Sequence, residues 1–576
     1  MRRFVVAAVV LGALWVAPSA QAAITDVFDG SVACTLQGDN DRICGNTAPR
    51  STAETFDGLP IDVNVAFPAD DGVGPDGDYP LIMSFHGYGG SKFSFASFER
   101  FLDRGYAVFS MTDRGFHQSC GTQQARDDSL TDTLPGDCTD GHIRLLDTRY
   151  EVRDAQYLAG RLADEELIAP QQIGSVGGSY GGGMSMSLGA LKDRTMLPNG
   201  TLIPWTSPDD GDAMRIAAAT PNIPWTDLVY SLVPNGGTLD YVSDAPYKGR
   251  FGVMKNSLVE GLYASGAVTG DYAPAGYDPD ADLESWINRL RAGEPYDGDP
   301  MVADVVEELT THHTSYYIDD AQPPAPMLIS SGFTDDLFPA DEALRYYHRT
   351  RDTHPGTPLS LFFGNFGHQR AQNRAADANL LRSREDAWLD FYVKGVGATP
   401  SQGVEAQTLV CPASAPSGGP VSADTWAQLS PGEVRYTSNA AQTLTPGSGS
   451  TAVGTTFDPV SSGGNPCRTA PGADQTGVAS YRLPAAKSAY TMMGAATVIA
   501  DISSPTANSE LAARLFDVAP DGTEALVDRG ILRPAVGSAR QVFQLHPNGC
   551  DFAKGHVPKL ELLPSDAGGT ILASYA

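Results

Sequence analysis

The sequence predicts an α/β fold: a mainly parallel sheet covered by helices on both faces, interrupted by a helical insertion and followed by an all-β region. Three observations carry that prediction. From about Gly58, short β-like runs alternate with amphipathic helical runs, the pattern of parallel strands joined by crossover helices. Between about Pro221 and Asp320 the rhythm breaks into helical fragments rich in Trp, Tyr and Pro, such as "DLESWINRLRAG" and "MVADVVEELTTHHTSYY". After Gly395, Gly, Pro, Ser and Thr dominate and the apolar runs become short and alternating, which reads as a separate β-sandwich.

Length and charge bound the rest. A chain of 576 residues is too long for one ordinary domain. Its 41% hydrophobic and 19% charged residues are those of a globular protein with a real core. A net charge of −30 argues against nucleic acid as a partner, because a phosphate backbone is repelled. The first residues pair a basic start (Arg2, Arg3) with an apolar run, Phe4 to Val16, and a small-residue cleavage site, Ala20-Gln21-Ala22. This is the pattern of a secretory signal over 1–23 and implies export. No later stretch holds eighteen consecutive apolar residues, so no membrane span is expected. The body then divides into 24–400, with the insertion at about 221–322, and a β region at 401–576.

The elements follow in order. "IDVNVAFP" alternates like an exposed strand, and "PLIMSFHG" (Pro80 to Gly87) reads as a buried one. "FSFASFERFLDRG" is expected to be a helix ending at Gly105, and "YAVFSMTDRG" the next strand. "DTRYEVRDAQYLAGRLADEE" is a helix with apolar residues at Val152, Ala155, Tyr157, Leu158 and Leu162. "QQIGSVGGSYGGGMSMSLGA" should be strand, sharp turn, helix, and "RIAAAT" another strand. After the insertion come the strand in "APMLISSGFTDDLFP", the helix "ADEALRYYHRT", the strand in "PLSLFFGNFGH" and a helix from about Arg370 to Val393. The β region, read as free of helices, offers "TMMGAATVIADIS", "ELAARLFDVAPDGTEALVDRGIL" and "RQVFQLHP".

Seven cysteines fit an oxidising compartment. Cys34 and Cys44, Cys120 and Cys138, and Cys411 and Cys467 pair locally across loop-rich segments, which leaves Cys550 over. No C-x-x-C and no nearby paired His suggests a metal site. Acidic loops such as "DPDADLE" and "YDGDP" lack the ligand spacing of an EF-hand. Neither metal nor organic cofactor is expected.

The chemistry centres on Gly177-Gly178-Ser179-Tyr180-Gly181, which lies where a strand turns into a helix. In that context a serine hydroxyl is lifted above the sheet and becomes a nucleophile. Such a serine needs a base, and the base needs an orienting acid, in the chain order Ser, Asp/Glu, His at late strand ends. Asp335 and His368 stand at the ends of adjacent strands in that order. Asp336 is the alternative acid; the G-x-x-D-x-x-x-P spacing favours Asp335. His86 and His117 follow strands, where they either line the site or, as the favoured reading, brace loops; His312 and His313 of the insertion either touch substrate or, by default, face solvent. The oxyanion donors expected are the Tyr180 backbone N–H and a group of the loop after "LIMSFHG", either a backbone N–H or the Tyr88 hydroxyl.

"DTRYEVRDAQYLAGRLAD…GSVGGSYGGGMS", the insertion, "GFTDDLFP", "GNFGH" and the all-β tail together resemble the Xaa-Pro dipeptidyl-peptidase and cocaine-esterase-like branch of the α/β-hydrolases. The resemblance implies an α/β-hydrolase core with an inserted helical cap, followed by a C-terminal jelly roll. It also implies a Ser179–Asp335–His368 triad and a Tyr88 hydroxyl that assists the oxyanion. Two departures stand out. Only about 35 residues separate the leader from the first core strand, where the large dipeptidyl-peptidases carry an extra domain. The tail ends at "GGTILASYA", where a jelly roll would add at least one more strand. The expectation is a serine hydrolase acting on a small ester or acyl compound, with release of X-Pro dipeptides from peptides as the alternative. Acidic and aromatic residues of the cap (Asp227, Asp240, Asp244, Glu260; Trp225, Tyr230, Tyr241, Tyr263) are what an ammonium and a proline would need. A dead hydrolase core presenting the β-sandwich to a ligand is the rival from another class.

Overall fold

The computed structural model describes residues 24–37, 41–46, 51–68, 77–130, 136–236, 251–462, 465–507 and 509–567. The leader at 1–23, Asp240, Tyr241 and Asp244 of the cap, and residues 568–576 lie outside them.

Among the described residues a 13-stranded sheet organises the first part of the chain. Its centre is parallel, in the spatial order Ala107–Met111, Tyr79–Phe85, Ile168–Gly178, Ile216–Asn222, Met327–Gly332, Leu359–Gly364 and Val404–Thr408. Ala107–Met111, Met327–Gly332 and Leu359–Gly364 are buried along their whole length because helices cover both faces, whereas Ile168–Gly178 exposes Gln171 and Gln172. From Tyr79–Phe85 the chain steps outward to Ala107–Met111, then returns past its start to Ile168–Gly178. The order reverses between Tyr79–Phe85 and Ile168–Gly178, and that reversal opens a crevice at their carboxyl ends.

Antiparallel strands finish the sheet at both sides. Pro60–Phe67 pairs with Ala107–Met111, and Gly418–Ala423 pairs with Val404–Thr408. The sheet therefore runs on past residue 400, where the sequence divides the chain. Pro60–Phe67 corrects one expectation, since all of its residues are buried. Its alternating polar side chains find partners inside: Asp62 accepts from Ser51 N at 2.9 Å and Lys92 Nζ at 2.8 Å, and Asn64 Nδ2 donates to the Phe93 carbonyl at 2.9 Å. The helix expected over "FSFASFERFLDRG" shrinks to a 3₁₀ turn, Phe95–Ser97, and one short helix, Glu99–Leu102. Aromatic and Ser positions make that run a weak helix former, and its Phe98, Phe101 and Leu102 are placed by burial instead.

The cap lies between the strands Ile216–Asn222 and Met327–Gly332. Its helices are Leu228–Leu232, Asn256–Thr269, Leu283–Arg291 and Pro300–His312. Asp282 and Asp299 cap the last two through the Ser285 and Val302 N–H groups, and Pro300 takes a first-turn position where no N–H is needed.

Among the described residues the C-terminal region forms three antiparallel sheets, one of five strands and two of two. Val498, Leu515, Phe543 and Phe552, drawn from all three, share one core. Short helices at Trp426–Leu429 and Thr451–Phe457 enter a region expected to have none. This β region docks on the α/β core. Asn548 Nδ2 donates to the Phe333 carbonyl at 2.9 Å, and His546 Nδ1 lies 2.9 Å from Asp341 Oδ2. Disulfides join Cys34 to Cys44, Cys120 to Cys138 and Cys411 to Cys467, while Cys550 is unpaired and buried. Among the described residues no helix is long and apolar enough to cross a membrane.

Candidate active site

The helix Tyr180–Leu191 begins one residue after the strand Ile168–Gly178 ends, so Ser179 alone makes the corner. Its φ of 60° and ψ of −117° lie where a residue with a Cβ is strained. Packing holds the strain. The Ser179 N–H donates to the Asn222 carbonyl on the neighbouring strand at 3.0 Å. Gly181 in the first helical turn passes so close to the other neighbour that a Cβ there would stand 2.2 Å from the Phe85 carbonyl oxygen. Only glycine fits.

His368 and Asp335 reach this corner from the ends of the next strands. His368 Nε2 is 2.7 Å from Ser179 Oγ, and His368 Nδ1 is 2.7 Å from Asp335 Oδ2. A carboxylate accepts, so Nδ1 carries the ring proton and Nε2 is free to take the one on Ser179. Asp335 is 2% exposed and fully bonded. Its Oδ1 accepts the N–H groups of Leu337 and Phe338, each at 3.0 Å, and Oδ2 also accepts the His368 N–H at 3.2 Å. Gly367, at φ 133°, is needed because a Cβ would come within 2.5 Å of Asp335 Oδ2.

Asp336 is engaged elsewhere. Arg370 grips it from two nitrogens, at 2.6 and 3.0 Å. Burial opposes its charge, but Arg370 and Arg529 outweigh burial and hold its carboxyl below the usual range. Lys255, just before the cap helix Asn256–Thr269, donates to the carbonyls of Asp336 at 2.8 Å and Leu337 at 3.1 Å. That lysine ties the cap to the loop that carries Asp335.

The groups expected as oxyanion donors stand beside Ser179. The Tyr180 N–H opens a helix and lacks an intrahelical acceptor. The loop Gly87–Gly90 runs alongside, where a Cβ on Gly87 would lie 3.8 Å from Ser179 Cβ. Two histidines brace that loop. His86 donates Nδ1–H to the Gly87 carbonyl at 2.8 Å and accepts the Asp113 N–H on Nε2 at 3.0 Å. Burial pushes His86 down to about 4, which keeps it neutral. His117 Nε2 lies 2.8 Å from the Gly89 carbonyl.

Tyr88 rests its ring against Tyr180, with centroids 5.5 Å apart, and its hydroxyl lies 2.8 Å from that of Tyr272 in the cap. Tyr272 donates to the Tyr263 carbonyl at 3.1 Å, so Tyr88 is the donor of the pair. Its proton therefore faces the cap in this state, not Ser179. Burial, reinforced by Tyr272, pushes the Tyr88 phenol well above its usual range, so it stays a donor.

Several contributors were invisible in the sequence. Tyr272 is one. Another is Glu151, which accepts the Tyr180 hydroxyl at 2.7 Å and is pushed up to about 7 by burial. Glu151 reads in sequence as one more polar position of an amphipathic helix, and only its burial distinguishes it. His313 departs from expectation, because it is buried, with Nδ1 2.9 Å from the Leu145 carbonyl. Asp147, Glu308 and His313 bring ligand atoms within 4.8 Å of one another, but Arg149 bonds to both carboxylates and supplies the cation itself. Asp278 and Asp280 of the acidic cap loop pair with Arg144 and Arg149.

Above Ser179 a cavity of about 120 Å³ opens between core and cap. Trp225, Leu262, Tyr263, Trp286, Leu309 and Phe338 are among its walls, and no charged side chain lines it among the described residues. Asp227 is spent on the Tyr230 N–H and the Tyr317 hydroxyl, and Glu260 on Arg291.

Residues 51–204 match the family model described as acetyl xylan esterase (AXE1). No curated protein sequence matches the chain. An aminopeptidase from the marine sediment archaeon Thaumarchaeota archaeon has a similar structure, with a TM-score of 0.56 at 13% identity over 96% of this chain and 92% of that one. A CocE/NonD family hydrolase from Staphylococcus aureus gives 0.51 at 13% identity, over 92% and 86%. An α-amino acid ester hydrolase gives 0.51 at 12% identity, over 98% and 93%. At such identities the likeness speaks for the fold, which is an α/β-hydrolase core followed by a β domain.

Proposed function

We propose that this chain is a serine hydrolase that cleaves carboxylic esters through an acyl-enzyme on Ser179. The observation that carries the reading is the continuous relay from Asp335 through His368 to a serine held on a strained strand-to-helix corner. Such a relay serves acyl transfer. Ser179 Oγ adds to the ester carbonyl while His368 Nε2 takes its proton, and the carbonyl oxygen becomes an oxyanion. The Tyr180 N–H and Tyr88 are the donors assigned to that charge, with Tyr88 turning its hydroxyl away from Tyr272. The C–O bond to the alcohol breaks, and His368 returns the proton to the departing oxygen. Water then repeats the cycle on the acyl-serine, giving the carboxylic acid and free Ser179.

The family-model match to acetyl xylan esterases and the structural likeness to ester hydrolases support ester chemistry. Release of X-Pro dipeptides is the weaker reading, because it needs an anionic group to hold a substrate ammonium. Asp227 and Glu260, the described candidates, are committed to other partners. Export is part of the proposal, supported by the leader pattern and the three disulfides.

The test is labelling by a fluorophosphonate probe together with kcat/KM for a p-nitrophenyl ester and an Ala-Pro anilide. Ser179→Ala is expected to abolish labelling and to lower turnover by about 10⁴-fold or more. Wild-type labelling and rates in that variant, or a preference for the anilide that disappears on acetylating its amino group, would overturn the reading.

A further inference from the structure

The cavity above Ser179 has a sidedness that identifies what it holds. Tyr88 and Tyr180, on the oxyanion side of the serine, line it, whereas His368 does not. Phe338 stands between, packed edge-on against the His368 ring at 5.2 Å and forming a wall of the cavity. In acyl transfer the leaving alcohol departs beside the histidine that protonates it, and the acyl group stays on the serine. A cavity beyond the oxyanion donors and screened from the histidine is therefore an acyl site.

Its walls describe the acyl group. The cap contributes Leu262, Tyr263, Trp286 and Leu309, which sit on three different helices and turn their apolar faces to one point. No charged side chain lines it among the described residues, and burying an ammonium or carboxylate against such walls is strongly unfavourable. The volume sets the length. A dry apolar cavity of roughly 150 Å³ accepts a benzene-sized guest of about six carbons. The 120 Å³ found here is of that order.

We propose that the cap builds an acyl-selecting pocket for an uncharged aliphatic chain of about four to six carbons. The proposal rests on the ester-hydrolase reading and adds the substrate class to it. Each methylene buried is worth about a four-fold factor in binding, so the extra methylenes of a hexanoyl over an acetyl group together give on the order of 10²-fold. A hexanoyl ester is thus expected to exceed an acetyl ester by on the order of 10²-fold in kcat/KM, and a dodecanoyl ester to fall below the hexanoyl one.

The experiment is a p-nitrophenyl ester series from acetate to dodecanoate, with the 6-aminohexanoate ester beside the hexanoate, on the full disulfide-bonded chain. Fluorophosphonate labelling is read in parallel. A maximum near hexanoate, with the 6-amino ester at least about 100-fold poorer, is the expected result. Leu262→Trp and, separately, Val259→Phe fill the cavity from the helix Asn256–Thr269, and each should move the maximum toward acetate. A thermal melt tells a refilled pocket from a misfolded variant. A labelled enzyme with a flat profile, a maximum at acetate or equal use of the 6-amino ester overturns the pocket and leaves the hydrolase reading intact. No labelling and no turnover of any ester overturns both.

Discussion

Asp335 and Asp336 are neighbours in sequence with different work, and their partners separate them. Asp335 accepts four hydrogen bonds, two of them from His368, whereas Asp336 is held by the Arg370 guanidinium. Asp335→Asn, which can no longer fix the ring tautomer, is expected to lower kcat by about 10⁴-fold with little change in stability. Asp336→Ala should do the reverse, costing about 3–5 kcal/mol because it strands a buried arginine. Urea midpoints and kcat for the two variants check this, and equal kcat losses would contradict it. Tyr88 poses a similar choice between catalysis and scaffolding, since its proton faces Tyr272 at rest. If it turns to the oxyanion, Tyr88→Phe loses about 10²- to 10³-fold in kcat, the usual cost of one such donor, while Tyr272→Phe loses less than about ten-fold. Matching losses in the two variants would mean that the pair only fastens the cap.

At the scale of elements, the corner between Ile168–Gly178 and Tyr180–Leu191 decides whether the site exists. Gly181→Ala forces a methyl against the Phe85 carbonyl, so the strand or the helix must shift. The expected outcome is a loss of about 1–3 kcal/mol, as for other overpacked sites, with a fall in kcat larger than the change in KM. A variant with wild-type Tm and rates would show that the corner tolerates bulk. This corner was legible in sequence because glycine spacing and the strand-to-helix switch are local signals. The strand ends that carry Asp335 and His368 were legible for the same reason. The cap's contribution was not. Tyr272 meets Tyr88 across 184 residues, and no periodicity reports a contact of that range. Pro60–Phe67 departs from its sequence pattern because alternation signals a wet face only when the polar residues have no partners inside, and Asp62 and Asn64 have them. The β region was recognisable from its turns and short strands, but its docking on the loop after Met327–Gly332 depends on Asn548, an ordinary polar residue in sequence.

For the whole molecule, burial has left a set of carboxyls that prefer to be neutral. Glu151 in the core, and Glu510 and Glu524 in the β region, are each pushed up to about 7 by burial. An unfolded glutamate titrates near about 4.3. A carboxyl raised on folding stabilises the fold fully below that unfolded value, and the contribution is lost as pH rises through the folded one. His313 acts in the same direction, since Glu308 and Asp147 outweigh its burial and raise it. His86, lowered to about 4, acts oppositely, losing its contribution as pH falls below its unfolded value of about 6.5. Asp336, Asp341 and Asp566 are held low by cationic partners that outweigh burial, so their contributions fade only in stronger acid. A net charge of −30 adds repulsion as more carboxyls ionise. More groups lose stability on the alkaline side than on the mildly acidic one. Thermal melts at constant ionic strength are therefore expected to show Tm rising as pH falls from about 8 to about 6, then dropping again below about 4. Glu510→Gln removes one of the raised carboxyls and should flatten the slope between pH 6 and 8. A Tm that climbs toward pH 8, or a Glu510→Gln slope equal to that of the parent protein, would mean that these buried carboxyls keep their charge in the folded state.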